Sequence, residues 1–483
     1  MWLGIDLGTQ GARALLADDE GRVLGSGSAP LTGVRDGARH EQSPEDWWTA
    51  VCDAVRAALA EAPPPRALAV CATSGTVFLG DAAGRPLTPA LMFDDGRAPG
   101  RGLGRARRLA RTYPPGPGAR IMHQADLITT RLTGHPVPTD SGHALKTGYD
   151  PLAGAFTGAG EPDGQHQGPD GTGEPVGAAV GGPDLTRMLP EVVPPGTVLG
   201  EVCAAAETAT GIPRGTPVVA GTTDGCAAQL ASGSLTPGSW NSVLGTTLVL
   251  KGVSATPLHD PGGVVYNHLS ADGSWLPGGA SATGAGALRA AFPDADPARM
   301  DALAAHREPA ATLAYPLVGR GERFPFTAPE ATAFLLGAPE SDAEHWAALL
   351  QGVALVERLC LDYLDHLGAA VDGPLTVTGG AVRSAYWTRL RADVLGRELR
   401  VPESAEPALG MAVLAAYGAG GAESLSGAAS RMVRLRTTVR PGGGTARWDG
   451  PYLRLVDELV RQGWLPEPVA AHARTRTAGG SAG

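Results

Sequence analysis

The stretch that decides the fold is "WLGIDLGTQGARALLAD", residues Trp2 to Asp18. Its apolar residues predict two short β-strands, 2–6 and 12–17, joined by the small-residue turn Gly8-Thr9-Gln10-Gly11. A lone carboxylate, Asp6, interrupts the first strand just before this turn. An unpaired carboxylate costs several kcal/mol when it is buried. Either the turn is exposed, or Asp6 has a chemical role.

The elements that follow this hairpin recur later in the chain. The first set is a third strand, a helix that begins at Ser43-Pro44, and a strand that ends in the hydroxyl-rich turn before Gly75. The second set comprises strand, turn and strand over 239–252, a strand in 272–279, a long amphipathic helix over 343–367, and a strand with a Gly-rich turn over 373–384. This duplication predicts an α/β protein of two similar domains that face each other across a cleft.

A chain of 483 residues exceeds the usual size of one domain. The predicted organisation is an N-terminal domain over 1–235, a C-terminal domain over 236–440, a helical extension over 441–470 and a disordered tail over 471–483. The stretch 154–183 consists almost entirely of Gly, Pro, Ala, Asp and Gln. It is predicted to be a surface loop or a disordered insertion, because few of its residues could fill a core.

Composition excludes several classes of function. A net charge of −10 with interspersed signs argues against a nucleic-acid surface. The five cysteines are scattered without a CxxC pair, which argues against zinc and favours reduced thiols. The first residues carry no basic leader, and no apolar run reaches about 18 residues. We therefore expect a soluble cytoplasmic protein with no membrane partner, whose oligomeric state stays open between monomer and homodimer.

Three Gly-rich turns each follow a predicted strand, at 6–9, 245–247 and 379–381. Turns without bulky side chains let backbone N–H groups cradle phosphate oxygens. Singly, each turn predicts an ordinary hairpin, but their repetition at equivalent places favours a triphosphate site. Asp6 would then hold Mg²⁺ directly or through water. Because GxxxxGK[ST] is missing and no GxGxxG opens a strand-turn-helix unit, any ATP site must rely on these backbone turns.

The strongest single candidate for catalysis is Asp224, in "TPVVAGTTDGCAAQLASG". A strand over 218–220 leads through Gly221-Thr222-Thr223-Asp224-Gly225 into a helix of small residues. One interpretation is helix capping, for which Asp is a preferred residue. The other is a general base that accepts a proton from a substrate hydroxyl attacking a γ-phosphate in line.

The stretches quoted above, with "EQSPEDWW", "NSVLGTTLVLKG", "GERFPF" and "TGGAVRSAYWTRLRADVLGRELRVPESAEPALGMAVLAAYGAG", resemble the FGGY carbohydrate kinases. The resemblance runs from Trp2 to about Gly420, and 154–183 is its main gap. It implies two actin/hexokinase-like (ribonuclease H-like) domains, ATP and Mg²⁺ as cofactors, and a small-molecule sugar or polyol phosphorylated on a terminal hydroxyl.

The resemblance also implies roles for individual residues. Asp224 matches the catalytic base, and Asp6 matches a residue that meets substrate, metal or phosphates. The sugar is expected to meet Asp6, Ser74, Gly75, Asp94 and Asp224. The residues expected to bind the nucleotide are Thr9, Gln10, Gly11, Arg13, Gly245, Thr246, Thr247, Gly379, Gly380, Ser384 and Trp387.

A narrower resemblance concerns the turn after the strand that ends near Ala72. Xylulokinases typically have a Met-His pair there, whereas this chain offers the hydroxyls of Ser74 and Thr76 and no ring. That turn, with "HQADLITTRLTGHPVPTDSGHALKTGYDP" and "GGASATGAGALR", resembles the plant and cyanobacterial D-ribulose kinases. It implies conversion of D-ribulose to D-ribulose 5-phosphate. A kinase for D-xylulose, L-ribulose or ribitol, and a non-catalytic nucleotide or sugar sensor of the same fold, are the alternatives.

Four further residues have competing interpretations. His123 could line the cleft, but capping or packing is favoured. Asp94 could equally well approach the sugar or not. Glu322 and Arg323 are predicted to form a structural ion pair near the hinge. Trp387 suits the adenine end of a nucleotide site but could instead fill the core.

Overall fold

The structure of the protein, a computed structural model, describes residues 1–98, 102–157 and 184–479. Of the predicted insertion over 154–183, residues 154–157 are therefore described, and residues 158–183 lie outside the described residues. The chain divides into two compact units. Unit 1 consists of Met1–Leu235, His268–Trp275 and Ser404–Arg434, and unit 2 of Thr236–Asn267, Leu276–Glu403 and Leu435–Gly483.

The elements up to Leu235 begin with five strands and then mix helices with strands. The strands are β1 (Trp2–Leu7), β2 (Gly11–Ala17), β3 (Val23–Pro30), β4 (Val34–Asp36), β5 (Arg39–Gln42), β6 (Ala67–Ala72), β7 (Val77–Gly80), β8 (Ala90–Leu91), β9 (Arg120–His123), β10 (Thr139–Asp140), β11 (Tyr149–Asp150), β12 (Ala155–Phe156), β13 (Val192–Val193), β14 (Val198–Glu201) and β15 (Pro217–Val219). The helices are α1 (Pro44–Leu59), α2 (Gly102–Thr112), α3 (Gln124–Thr133), α4 (Ser141–Leu145), α5 (Ala204–Thr210) and α6 (Asp224–Ala231).

The elements from Thr236 onward begin with four strands and then mix helices with strands. The strands are β16 (Trp240–Leu244), β17 (Leu248–Gly252), β18 (Tyr266–Leu269), β19 (Trp275–Ser281), β20 (Leu313–Tyr315), β21 (Phe334–Leu336), β22 (Leu375–Thr378), β23 (Leu399–Pro402) and β24 (Leu435–Val439). The helices are α7 (Gly286–Ala291), α8 (Pro297–Ala304), α9 (Asp342–His366), α10 (Ala385–Leu395), α11 (Pro407–Gly418), α12 (Leu425–Met432), α13 (Asp449–Arg461) and α14 (Glu467–Gly479).

The two main sheets share one topology. The first sheet, in unit 1, has the strand order β14-β15-β6-β1-β2-β3. The second sheet, built from strands after Thr236, has the order β18-β19-β17-β16-β22-β23-β24, in which β16 takes the place of β1 and β22 the place of β6. Strands β1 and β2 are antiparallel, whereas β1, β6 and β15 run parallel. The same relations hold for β16 with β17 and for β16, β22 and β23. The predicted duplication of an α/β domain is thus confirmed by the sheets themselves.

Small residues set how closely helices lie on the sheet of unit 1. A Cβ at Gly4 of β1 would lie 1.7 Å from the Ala408 carbonyl oxygen of α11, and one at Gly410 would lie 2.0 Å from the Ala227 carbonyl oxygen of α6. On α1, Trp47 is fully buried in the same core. The small residues therefore bring the backbone of α11 against β1, and the backbone of α6 against α11.

The predicted boundaries need two corrections. Residues 404–434, expected in a C-terminal domain over 236–440, belong to unit 1, because α11 packs on β1 and β6. The predicted tail over 471–483 is helical up to Gly479. Val469, Ala470 and Ala473 are buried in the core of unit 2, so α14 gains apolar burial that a disordered tail would lack. Within the described residues, no helix combines the length and apolarity needed to span a membrane.

Candidate active site

The carboxyl ends of β1, β6 and β15 lie side by side in unit 1, since these strands are parallel neighbours. Asp6 pairs in register with Cys71 on β6, and Ala72 forms a parallel bridge with Thr223. The fold thereby brings Asp6, the turn after β6 and Asp224 to one edge of one sheet. These are residues that the sequence predicts to bind the sugar and to act in catalysis.

Asp6 is a buried carboxylate, only 3% exposed, with partners on two neighbouring strands. Arg13 Nη1 lies 3.2 Å from its Oδ2, and Cys71 Sγ lies 3.6 Å from its Oδ1. Burial raises the pKa of Asp6, and the guanidinium of Arg13 opposes that rise. The question set by the sequence is answered in part: the carboxylate is buried and paired.

Asp224 is the first residue of α6, and Thr223 occupies the capping position. Its Oδ1 accepts the backbone N–H of Gly225 at 2.8 Å. A carboxylate in the first turn is stabilised by the helix dipole, which needs no capping bond. Burial raises the pKa of the Cys71 thiol well above its usual value, and the charges of Asp6 and Asp224 raise it further. Both carboxylates thus act on the same buried thiol.

The turn after β6 carries hydroxyl groups in two environments. Thr73 Oγ1 lies 2.7 Å from Thr76 Oγ1 and donates to Gln124 Oε1 at 2.6 Å. Ser74 Oγ is buried and has no hydrogen-bond partner among the described residues. Gly75 has a φ of +88°, a backbone conformation that residues other than glycine rarely adopt. Ser74 therefore offers a buried hydroxyl that a ligand could satisfy.

Two other predicted or considered residues are engaged elsewhere in unit 1. The Asp94 carboxylate lies 2.6 Å from Arg35 Nη2 and 2.5 Å from His40 Nδ1. Burial alone would raise the pKa of Asp94, but these two hydrogen bonds lower it. His123 is fully buried and forms a capping box with Asp126 on α3. The capping interpretation of His123 is the one that the structure supports.

Of the nucleotide residues expected in the first hairpin, Thr9 and Gln10 lie in the turn between β1 and β2, and Gly11 and Arg13 lie on β2. Gly8 N–H donates to the Gly11 carbonyl at 3.0 Å, which closes the turn. The Thr9 carbonyl accepts from Gln42 Nε2 at 2.7 Å, and the Gln10 carbonyl accepts from Leu31 N–H at 2.9 Å. A Cβ at Gly11 would lie 2.6 Å from the Ala29 carbonyl oxygen. The turn is therefore held by its carbonyls, while Arg13 faces Asp6.

Unit 2 contains a cavity of about 890 Å³, within the usual range for small-molecule sites. Five of the residues predicted to bind the nucleotide line it: Gly245, Thr246, Gly380, Ser384 and Trp387. Thr247 closes the turn by accepting the N–H of Gly245 at 3.0 Å. Gly379 has a φ of +85°, and a Cβ there would lie 2.5 Å from the Leu244 carbonyl oxygen. The turns after β16 and β22 thus meet at the cavity.

Trp387 lines the cavity and also packs in the core of unit 2, where it is only 4% exposed. Its Nε1 donates to the Leu350 carbonyl at 3.1 Å. Ser384 caps α10 by accepting the N–H of Trp387, and its Oγ donates to Asp301 at 2.6 Å. Trp346 Nε1 donates to the other oxygen of Asp301 at 2.8 Å.

Sequence reasoning missed Arg289, Asp301 and Trp346, which also line the cavity. Asp301 and Trp346 lie on α8 and α9, whose sequences predict only helices. For Arg289 the sequence does contain an indication, because it comes three residues after the small-residue run "ATGAG" (282–286). The glycines of this run lie against the turn after β16. A Cβ at Gly284 would lie 2.4 Å from the Thr246 carbonyl oxygen.

The predicted ion pair of Glu322 with Arg323 is wrong. Glu322 is buried and accepts from Ser281 Oγ at 2.8 Å and Tyr315 hydroxyl at 3.0 Å, as well as from three backbone N–H groups. Arg323 Nε donates to the Ala280 carbonyl at 2.9 Å instead. A carboxylate enclosed by neutral donors is already satisfied, so the exposed guanidinium bonds elsewhere.

The residues present fit ATP and Mg²⁺ in part. The cavity offers glycine turns that admit a polyphosphate, aromatic walls and arginine side chains. Mg²⁺ is usually held by one or two carboxylates together with substrate phosphates. The described residues hold no cluster of three or more His, Cys, Asp and Glu side chains for a metal ion. Asp6 is therefore a carboxylate ligand of the kind that Mg²⁺ prefers, and phosphate oxygens of the nucleotide would have to complete the coordination.

Comparisons with known proteins identify the family of the chain. The N-terminal domain model of the FGGY family of carbohydrate kinases matches residues 1–101, and its C-terminal domain model matches residues 240–419. The chain belongs to this family, and it is an ATP-dependent sugar kinase of the two-domain FGGY fold.

Among its relatives, the xylulose kinase of Streptomyces coelicolor is 31% identical over 86% of this chain and 87% of its own. The xylulose kinase of Streptomyces rubiginosus is 29% identical over 94% of this chain and 92% of its own. The crystal structure of xylulose kinase from Rhodospirillum rubrum has a TM-score of 0.80 and 25% identity, covering 95% of this chain and 98% of that chain.

Proposed function

We propose that the enzyme transfers the γ-phosphoryl group of ATP to the terminal hydroxyl of D-ribulose, giving D-ribulose 5-phosphate and ADP. The observation that supports this substrate is the turn after β6, where Ser74 presents a buried hydroxyl without a partner among the described residues. The ring-free turn Thr73–Thr76 is the feature in which the sequence resembles D-ribulose kinases. A ketopentose is a small polyol, so hydroxyl donors and acceptors are the groups that would orient it.

In the proposed mechanism Asp224 is the general base. Its carboxylate accepts the proton of the attacking sugar hydroxyl as the bond to phosphorus forms, which contributes typically 10²–10⁴-fold in rate. Asp6, Ser74 and Gly75 orient the sugar, and Arg13 holds the Asp6 carboxylate at 3.2 Å. Asp94 is included as a proposed sugar contact, because its carboxylate is 31% exposed and can accept further hydrogen bonds beside those from Arg35 and His40.

The nucleotide is proposed to bind in the cavity of unit 2. Gly245, Thr246 and Gly380 would approach its phosphates, and Ser384 and Trp387 would lie near the base or ribose. Thr247 and Gly379 would act by shaping the two turns. Thr9, Gln10, Gly11 and Arg13 remain proposed phosphate contacts of the first hairpin. Mg²⁺, when bound through Asp6, would neutralise phosphate charge.

A second candidate substrate is D-xylulose. This candidate is supported by the two Streptomyces relatives described above, which are named as xylulose kinases. D-Xylulose and D-ribulose differ only in the configuration at C3, so one hydroxyl direction separates the two candidates. An enzyme that accepts either epimer would still be a ketopentose kinase.

The test is release of ADP from ATP and Mg²⁺ with a panel of D-ribulose, D-xylulose, L-ribulose, ribitol and no sugar. The expected result is the highest kcat/KM with D-ribulose and negligible ADP release without sugar. A higher kcat/KM with D-xylulose would overturn the proposed substrate. ADP release that does not depend on any sugar would favour a nucleotide-driven switch instead.

The assignment of Asp224 is tested with Asp224→Asn. We expect kcat to fall at least about 10²-fold while ATP still binds, because the amide cannot accept the proton. Turnover near that of the wild type would refute the role.

A further inference from the structure

Arg289 lies on α7 and lines the cavity of unit 2. Its Nη2 donates to Thr246 Oγ1 at 2.7 Å, and its side chain is exposed on the cavity. Thr246 belongs to the turn after β16, which was predicted to approach phosphates. The guanidinium therefore lies beside that turn, on the side that faces the cavity.

The backbone before Arg289 is fixed to the same turn. Ala285 N–H donates to the Gly245 carbonyl at 2.9 Å, and Gly286 N–H donates to the Thr246 carbonyl at 3.1 Å. A Cβ at Gly286 would lie 2.9 Å from Thr246 Cγ2, so only glycine allows this approach without a shift. These contacts hold the start of α7, and with it Arg289, at a constant distance from the turn.

The cavity needs a cation if it is to hold a polyphosphate, and the chain is poor in lysine. Its sequence contains only Lys146 and Lys251. Lys251, the lysine of unit 2, is 3% exposed on β17, with its Nζ 5.1 Å from the ring centre of Tyr266. Arg289 and Arg383 are the basic residues among those that line the cavity.

Among the described residues, the two acidic residues of the cavity lining, Asp296 and Asp301, form no ion pair with Arg289. Both oxygens of Asp301 accept hydrogen bonds, from Trp346 and from Ser384. Asp296 caps α8 by accepting the N–H of Ala298 at 3.0 Å. A guanidinium has five N–H donors in a planar fork that matches phosphate oxygens. The bond to Thr246 uses one donor and orients that fork.

We infer that Arg289 is a nucleotide-binding residue that donates to a phosphate of ATP and ADP at the turn after β16. The inference rests on the proposed nucleotide site and extends it, because it supplies the positive charge that backbone turns lack. It predicts a contribution that depends on the number of phosphates and not on the adenosine moiety.

The experiment titrates ADP, ATP and adenosine into the full chain without sugar. Binding is followed by tryptophan emission, since Trp346 and Trp387 line the cavity, and by calorimetry. For Arg289→Gln we expect the Kd of ADP and ATP to rise roughly tenfold or more, as for a lost hydrogen bond to a charged group. The Kd of adenosine should stay unchanged, and Arg289→Lys should recover part of the affinity.

The matched control is Arg299→Gln, which removes the same charge from an exposed position on α8 outside the cavity lining. It should leave every Kd unchanged, and thermal unfolding of all variants verifies that they are folded. An unchanged Kd of ADP in Arg289→Gln, with wild-type binding intact, would overturn the role of Arg289 alone. An equal loss for adenosine would show that Arg289 only shapes the turn. Failure of the wild type to bind any of the three compounds would overturn the nucleotide site and this inference together.

Discussion

Ser74→Ala is expected to change stability and sugar affinity in opposite directions. The Ser74 Oγ is buried without a partner among the described residues. A buried hydroxyl left unsatisfied costs about 1–3 kcal/mol relative to water. Removing it should therefore stabilise the sugar-free protein, whereas a sugar that bonds this hydroxyl should lose a hydrogen bond in the variant.

The magnitudes follow from these two terms. We take about 1 kcal/mol of stabilisation, the low end of the penalty, because alanine keeps the Cβ and loses few contacts. For a domain of this size that amounts to about 2 °C in the midpoint of thermal unfolding. Loss of a neutral hydrogen bond costs about 0.5–1.5 kcal/mol, which corresponds to a rise in sugar KM of roughly 2- to 12-fold.

The measurements are thermal unfolding without sugar, and steady-state kinetics with the preferred ketopentose of the panel. Ser141→Ala is the matched control, because its Oγ is also buried without a partner among the described residues, but on α4. It should raise the unfolding midpoint similarly and leave the sugar KM unchanged. A Ser74→Ala variant with a lower midpoint and an unchanged KM would refute the reasoning.

Three further predictions address the same unit. Gly4→Ala should destabilise unit 1 by at least about 1–3 kcal/mol in urea unfolding, because its Cβ would lie 1.7 Å from the Ala408 carbonyl oxygen; an unchanged midpoint would contradict this close approach of α11. Asp6→Asn should lose most of the metal-dependent turnover and yet raise the unfolding midpoint at pH 7. Burial raises the folded-state pKa of Asp6, so the ionised carboxylate weakens the folded state above the unfolded pKa; a lower midpoint would contradict this sign. The third prediction concerns His143, where burial lowers the pKa but the Asp140 carboxylate at 2.5 Å outweighs it and raises the pKa to about 9. The stabilising contribution of His143 is full below the unfolded pKa of about 6.5 and is lost as pH rises through about 9. Unit 1 should therefore unfold more easily at pH 9.5 than at pH 6.5. This difference in stability between the two pH values should be smaller in His143→Gln.

Much of the fold could be predicted from residue patterns because both repeats obey local rules. Strand, small-residue turn and strand appear in sequence wherever β1–β2 and β16–β17 form, and Ser43-Pro44 marks the start of α1. The C-terminal segments were harder. Whether α11 belongs to one unit or the other depends on which sheet its alanines pack against, and sequence spacing does not contain that information. For α14, the predicted tail began at 471, whereas the helix continues to Gly479 and buries Ala473 in the core of unit 2, a contact that sequence composition does not reveal.

The candidate site was predictable where chemistry depends on backbone turns and on single carboxylates. It was not predictable where long-range pairing decides the environment of a side chain. Asp94 illustrates this, since its partners Arg35 and His40 lie more than fifty residues away in sequence. Glu322 illustrates the opposite error, because adjacency in sequence suggested a partner that the tertiary structure does not use.

Comparison of the two repeats explains why Asp6 is tolerated at a buried strand end. Register pairs Asp6 on β1 with Arg13 on β2, one step from the turn. At the same step in the second repeat, Val243 on β16 pairs with Val249 on β17. The two positions therefore differ together: one repeat has an acid facing a base, and the other has two apolar side chains. A carboxylate at this depth would be costly without the guanidinium opposite, whereas a valine pair needs no such partner. This difference between the two hairpins is the geometric basis of the role proposed for Asp6, and its cross-strand partner could have been predicted from the first hairpin alone.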